Sequence, residues 1–210
     1  NSFKTMRISV NMFIPINKNT AAKYSILPSL ISRASREFPD YTSLSKKLAD
    51  LYGAYLDSSV NTIGGYQVLS LAIGGISSRY AFDGENMLQE FSDLIFSVIF
   101  NPLKDDNWLF PEDGFKQEQR QILEVFESEY NDKMVYAARR GREILYGDAP
   151  EGINRYGKAE EIKSLKIEEL SKAWDEVLEK SRFEIFILGD CDADSEIFAK
   201  AFTGYGKNHN

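Results

Sequence analysis

The stretch FKTMRISVNMFIP, residues 3–15, decides how the rest of the sequence is interpreted. Apolar residues occupy every second position: Met6, Ile8, Val10, Met12 and Ile14. A period of two places successive side chains on opposite faces of a β-strand. The pattern therefore predicts a half-buried strand over residues 3–14, which Pro15 ends.

Three further strands are predicted downstream. Residues 54–62 and 66–74 alternate around the dipeptide Gly64-Gly65, which is typical of a tight hairpin. Residues 183–188 form a short apolar run that predicts the fourth strand. The second glycine pair, Gly74-Gly75, lacks the spacing of a phosphate-binding loop and is also interpreted as a turn.

Apolar residues recur at helical spacing in most of the remaining segments. Helices are predicted over residues 21–35 with a kink at Pro28, from a cap at Thr42 or Ser43 to Gly53, and over residues 87–98, 115–146, 167–180 and 195–202. This order of elements fits an α+β fold, a mostly antiparallel sheet with helices packed on one face. No repeat or linker interrupts the sequence, so residues 1–210 are interpreted as a single domain.

The overall composition excludes several classes of protein. Of the 210 residues 43% are hydrophobic, which suffices for a sizeable core, yet no apolar run approaches the roughly 18 residues of a membrane span. A net charge of −7 argues against a nucleic-acid partner, because binding phosphates requires clustered Lys and Arg. The single cysteine, Cys191, excludes an internal disulfide, and a cytoplasmic location is the default expectation.

Residues that could bind a metal or act as a base are scarce. Catalytic zinc takes three ligands from His, Cys and carboxylates, whereas this sequence has Cys191 and one histidine, His209. His209 is the penultimate residue and is interpreted as part of a frayed tail. With no other histidine to serve as a base, Ser-His-Asp and Cys-His systems are absent too.

Four acidic residues alternate near the end of the sequence: Asp190, Asp192, Asp194 and Glu196. This spacing is that of a calcium loop, but Ser195 replaces the required glycine and Ala201 the bidentate glutamate. We interpret the cluster as carboxylates that cap the last helix.

Several short motifs, in this order and spacing, resemble the first domain of the pitrilysin/insulinase metallopeptidase family. They are the strand over residues 3–15, Leu51-Tyr52-Gly53-Ala54, Asn101-Pro102, and a segment over residues 115–139 that contains Glu118, Asn131-Asp132-Lys133 and Tyr136-Ala137. The resemblance covers nearly the whole chain and is greatest to bacterial members that lack the metal motif. It implies the LuxS/mitochondrial-processing-peptidase-type metallohydrolase fold and the N-terminal half of a longer two-domain protein.

The resemblance also implies that the zinc site is lost. Active members carry His-x-x-Glu-His on the first helix, where two histidines bind zinc and the glutamate activates water. Alignment on Arg33-Ala34-Ser35 places Ser25 and Ser29 at the histidine positions and Pro28 at the glutamate position. These residues supply neither strong ligands nor a base, so we expect no zinc and no other cofactor.

The third ligand of the family, a glutamate on the long helix, falls near Glu127, with Glu124 as the alternative register. Either carboxylate is a remnant that lines a peptide chamber or belongs to a solvated helical face.

The resemblance favours a catalytically inactive peptidase-like domain that binds peptide or supports an active, zinc-bearing homologous partner. Its expected partners are a homologous subunit or second domain, and peptides; neither nucleic acid nor membrane is expected. One alternative is an active zinc metallopeptidase whose ligands another domain or chain completes. The other is a purely structural subunit.

Overall fold

The computed structural model of the chain describes residues 3–190, 198 and 200–203. Its sheet has the strand order β2-β3-β1-β4, and every neighbouring pair is antiparallel. The strands are β1 Thr5–Pro15, β2 Tyr55–Ile63, β3 Tyr66–Ile76 and β4 Arg182–Gly189. The prediction of an α+β fold with an antiparallel sheet is confirmed, and all four strands lie where the sequence placed them.

The central strand β1 has one buried and one open face. Ile8, Val10 and Met12 are completely buried, and Ile8 lies opposite Ile73 of β3 and Ile187 of β4. Full burial of one such side chain contributes about 1.5–3 kcal/mol. The intervening side chains face away from the core and are partly exposed, which is the alternation that the sequence predicts.

Helices pack on the buried face of the sheet and share its core. They are α1 Ala21–Ser25, α2 Leu27–Ile31, α3 Tyr41–Asp50, α4 Met87–Phe100, α5 Glu112–Asn131, α6 Lys133–Tyr146, α7 Ala159–Ser164 and α8 Ile167–Lys180. Phe91 of α4 and Trp174 of α8 are the largest side chains in this layer that are buried almost completely. The Trp174 indole donates to the carbonyl of Ile99 at 3.1 Å, so its polar atom is satisfied inside the core.

The two glycine pairs have different roles. Gly64 and Gly65 form the predicted two-residue hairpin between β2 and β3, and their φ values of 52° and 81° suit such a turn. The prediction that Gly74-Gly75 is a turn is wrong, because both lie within β3. A Cβ atom on Gly74 would lie 2.5 Å from the Tyr55 hydroxyl, and one on Gly75 would lie 2.8 Å from the Phe91 ring. These glycines make room for aromatic rings.

The first predicted helix is two short helices that end at Ile31 rather than residue 35. Proline has no backbone N–H to continue the hydrogen bonding of α1, so α1 stops and α2 begins with Pro28 in its first turn. The kink expected at Pro28 is thus seen as a one-residue interruption at Ile26, whose backbone keeps right-handed helical angles.

The long helix predicted over residues 115–146 also consists of two helices. Asp132 separates α5 from α6, and its carboxylate accepts hydrogen bonds from the backbone N–H groups of Met134 and Val135. An aspartate that satisfies these N–H groups starts a new helix. A second correction concerns α3, where Asp40 is the N-cap and Ser43 completes a capping box from the third position.

The short helix α7 has no counterpart among the predicted elements, and its six residues are too few to show a helical period. Part of the last predicted helix, residues 195–202, lies outside the described residues, as do Cys191, Asp192, Asp194, Ser195, Glu196 and His209. Among the residues that the structure describes, no helix is both long and apolar enough to cross a bilayer.

Adjacent residues of β1 provide a test of this architecture. Ile8→Ala should lower the free energy of unfolding by about 3 kcal/mol, because it leaves a cavity at the centre of the core. Ser9→Ala, one position away on the open face, should change it by no more than about 0.5 kcal/mol. Urea unfolding of both variants measures the difference, and equal effects would contradict the assignment of the faces.

Candidate functional site

A cleft of about 170 Å³ brings the substituted zinc-motif positions together. We call it the serine cleft. It is lined by Ser25, Pro28 and Ser29 of α1 and α2, by Ser58, Ser59 and Val60 of β2, by Glu118, Gln121, Ile122 and Val125 of α5, and by Tyr156. Four separate segments, α1–α2, β2, α5 and the loop at Tyr156, therefore meet where the family resemblance placed the motif.

The hydroxyls of the two motif serines are engaged by their own backbone. Ser25 Oγ donates to the carbonyl of Ala22 at 2.8 Å, and Ser29 Oγ donates to that of Ile26 at 3.0 Å. Hydrogen bonds of this local type satisfy a serine in a short helix. Pro28 is buried and brings neither a donor nor an ionisable group.

Helix α1, which carries Ser25, is fixed to α8 through Glu176. The carboxylate of Glu176 accepts from Lys23 Nζ at 3.0 Å and from the Tyr24 hydroxyl at 2.8 Å. These two hydrogen bonds, the first from Lys23, lower the pKa of Glu176. Burial and the bond to Glu176 raise the pKa of Tyr24, so the phenol stays protonated as a donor.

A second anchor joins α1 to the sheet. Gln67 of β3 is fully buried, and its side-chain amide donates to the carbonyl of Ala21 at 2.9 Å and to that of Arg155 at 2.7 Å. The start of α1 and the loop before Tyr156 are thereby tied to the same strand. Both flank the serine cleft.

The carboxylate in the lining, that of Glu118, is already paired. Glu118 is 5% exposed, and Arg33 Nη1 donates to its Oε1 at 2.8 Å, while Arg33 Nη2 donates to Gln117 at 2.9 Å. A buried carboxylate is tolerated when a cation and its hydrogen bonds compensate the lost hydration. This ion pair connects the end of α2 to α5, and the charge of Arg33 neutralises that of Glu118.

The two carboxylates singled out from the sequence, Glu124 and Glu127, are exposed and do not line the cleft. Glu124 pairs instead with Arg120 on the surface, at 3.5 Å. Glu127 lies nine residues after Glu118, which places it about 180° around the helix. The sequence did contain a signal for Glu118, because it falls on the helical stripe of Phe115 and Ile122.

The donors in the cleft do not fit a zinc ion. Zinc in proteins takes Cys, His or carboxylate ligands. The cleft offers serine hydroxyls, one amide, one phenol and one carboxylate, which is paired with Arg33. Within the described part of the chain, no group of three or more His, Cys, Asp or Glu residues could hold a metal.

Comparison with known proteins found a relative that is described as a probable inactive metalloprotease. No family model matches the sequence. The chain is 22% identical over 192 residues to a probable inactive metalloprotease, YmfF, of Bacillus subtilis (strain 168), and the match covers 91% of this chain. The resemblance to the pitrilysin/insulinase family, in the form that lacks the metal motif, is confirmed.

Solved structures show the pitrilysin-like fold directly. A conserved protein from Enterococcus faecalis V583 superposes with a TM-score of 0.85 and 24% identity over 95% of this chain and 47% of its own. A peptidase M16 inactive domain from Pseudomonas fluorescens superposes with a TM-score of 0.72 and 16% identity over 96% of this chain and 45% of its own. The chain also spans only 45% of the length of YmfF, which is about half.

Restoring ligands tests the geometry of the cleft. The variant Ser25→His/Ser29→His/Val125→Glu should bind zinc, because all three positions line the cleft. The same histidine pair combined with Lys116→Glu, an exposed position about 180° around α5 from Val125, should bind at least about tenfold more weakly, since its carboxylate faces away from the cleft. Competition with a chelator measures both affinities, and equal values would contradict this placement of α5.

The Glu176 anchor predicts a pH dependence. Because its pKa is lowered in the folded protein, Glu176 stabilises the fold above its ordinary pKa of 4.5, and this contribution disappears as the pH falls through the folded value. Glu176→Gln should therefore be less stable than wild type at pH 7, by at most about 1 kcal/mol because solvent screens the pair. Thermal unfolding between pH 7 and pH 3 should show the difference shrinking, whereas a constant difference would contradict it.

Proposed function

We propose that this chain is a non-catalytic peptidase-like domain that binds peptide and supports a homologous, zinc-bearing partner. The observation that carries the proposal is the occupation of the serine cleft by internal interactions. Ser25 and Ser29 donate to the backbone carbonyls of Ala22 and Ile26, and Glu118 pairs with Arg33. Without a metal to lower the pKa of bound water from about 15.7 towards 7, no hydroxide nucleophile forms at neutral pH.

The proposed binding of peptide rests on β2, at an edge of the described sheet. An edge strand has backbone N–H and C=O groups along its outer side to which an extended peptide can add as another strand. Ser58, Ser59 and Val60 place this edge beside the serine cleft. A peptide bound there would extend the sheet and have the cleft available for one side chain.

The proposed partner rests on two observations. The chain spans about half of YmfF and of the two solved relatives, so those proteins contain a further segment of similar length. The open face of the sheet also exposes large apolar groups, with Phe186 at 58% and Leu188 at 64%. Apolar surface of this kind commonly marks an interaction site.

Metal analysis decides between this proposal and an active enzyme. The purified chain should contain far less than one zinc per molecule and should show no chelator-sensitive hydrolysis of a fluorogenic peptide library. A tightly held zinc in about one-to-one ratio, together with chelator-sensitive cleavage, would establish the alternative in which other ligands complete a site.

The same preparation tests binding. Mixed with an unlabelled peptide library, the amides of β2 should gain protection from hydrogen exchange, whereas those of the other edge strand, β4, serve as the internal control. Light scattering after addition of a zinc-bearing homologue should show a complex. If neither protection nor a complex is found, only the purely structural alternative is left.

A further inference from the structure

The helix α6 exposes its apolar side and turns its polar side towards the protein, which is the opposite of an ordinary surface helix. It spans 14 residues, Lys133–Tyr146, and none of them is buried. A helix of this length is marginal by itself and normally gains its stability by packing an apolar face. In α6 that face points away from the protein.

The inner side of α6 is polar. Arg139 pairs there with Glu129 of α5 and with Glu143 of α6 itself, and the rings of Tyr130 and Tyr136 lie 5.3 Å apart. The capping carboxylate of Asp132 fixes its first turn. One ion pair and one ring contact thus join α6 to α5.

The outer side is apolar and continuous. We call it the outer stripe of α6, and it consists of Met134, Ala137, Ala138, Gly141, Ile144 and Leu145. Met134, Ile144 and Leu145 are 82%, 77% and 73% exposed. Their spacing of three and four residues places them on one side of the helix. The charged residues Lys133 and Arg142 border the stripe on opposite sides, about 180° apart around the helix.

The shape of the stripe suits another helix. Large side chains stand at its two ends and small ones at its centre, and nothing lies within 4 Å of the position of a Cβ atom on Gly141. A glycine in a helix weakens it, and close approach of another backbone is a common reason for one. A membrane surface fits less well, because interfacial helices carry large apolar residues along their whole length.

The two cations beside the outer stripe indicate which charge a helix that packs there should carry. Neither Lys133 nor Arg142 forms an ion pair with a described residue. A second copy packed through its own α6 would supply no carboxylate for them, because the one acid of that helix, Glu143, is paired with Arg139 and Arg140. A helix with carboxylates on both sides of an apolar stripe would neutralise them.

We propose that the outer stripe of α6 is a docking surface for an acidic amphipathic helix of a partner subunit. The partner helix packs apolar side chains against Ala137 and Gly141 and directs carboxylates at Lys133 and Arg142. This inference rests on the proposed partner role and specifies the surface and the charge by which the partner is held.

Two synthetic 21-residue helical peptides test the proposal. Both carry leucines at spacing three and four, and they differ only in having Glu or Lys beside the leucines. Fluorescence anisotropy should show the wild-type chain binding the Glu peptide at least about tenfold more tightly than the Lys peptide. Lys133→Glu/Arg142→Glu should reverse the preference.

Matched variants locate the contact. Ala137→Glu should weaken binding of the Glu peptide at least about tenfold, because it places a charge in the centre of the stripe. Ala49→Glu makes the same change at an exposed position of α3 and should have no effect. Absence of binding, equal binding of both peptides, or binding only to vesicles that contain 30% phosphatidylserine overturns the proposal.

The outcome is separable from that of the proposed function. If the zinc-bearing homologue binds wild type and Ala137→Glu equally well, the partner role stands and the docking surface is wrong. If the Glu peptide binds as expected while no homologue does, the surface stands and the proposed partner is wrong.

Discussion

The structure depends on the burial of one face of β1. This strand lies between β3 and β4, and its side chains at Met6, Ile8, Val10, Met12 and Ile14 contact the core that the helices complete. A shift of one residue in its register would expose that whole set and bury Arg7, Ser9 and Asn11 instead. The positions of α1, α2 and α5, and with them the serine cleft, follow from this one register.

The serine cleft lies where the family resemblance places a metal centre. Ser25 and Ser29 donate to neighbouring carbonyls there, and Glu118 is paired with Arg33. Such pairing removes the cost of burying polar groups that have no ion to bind. These interactions therefore stabilise the cleft as part of the fold.

The sequence predicted which strands and helices exist better than it predicted where they end. It was least informative about which residues contact one another in the fold. Strand alternation and the Gly64-Gly65 hairpin are local signals, and all four strands were found. Gly74 and Gly75 were misassigned because the rings that leave no room for a side chain there, those of Tyr55 and Phe91, are distant in the sequence. The break at Asp132 and the cap at Asp40 depend on hydrogen bonds from backbone N–H groups to these side chains. Such bonds replace the ones by which a helix would continue through the residue. At the site, Ser25, Pro28 and Ser29, which the resemblance singled out, line one cleft, whereas Glu124 and Glu127 do not. The sequence did not define which side of α5 faces that cleft.

The bidentate role of Gln67 has a consequence for recognition. Since one buried amide holds both the start of α1 and the loop at Arg155, these two segments, which flank the cleft, cannot separate without breaking at least one of its hydrogen bonds. If a peptide side chain binds in the cleft as proposed, these bonds limit how far the flanking segments move on binding. A receptor held in place in this way loses less conformational entropy on association.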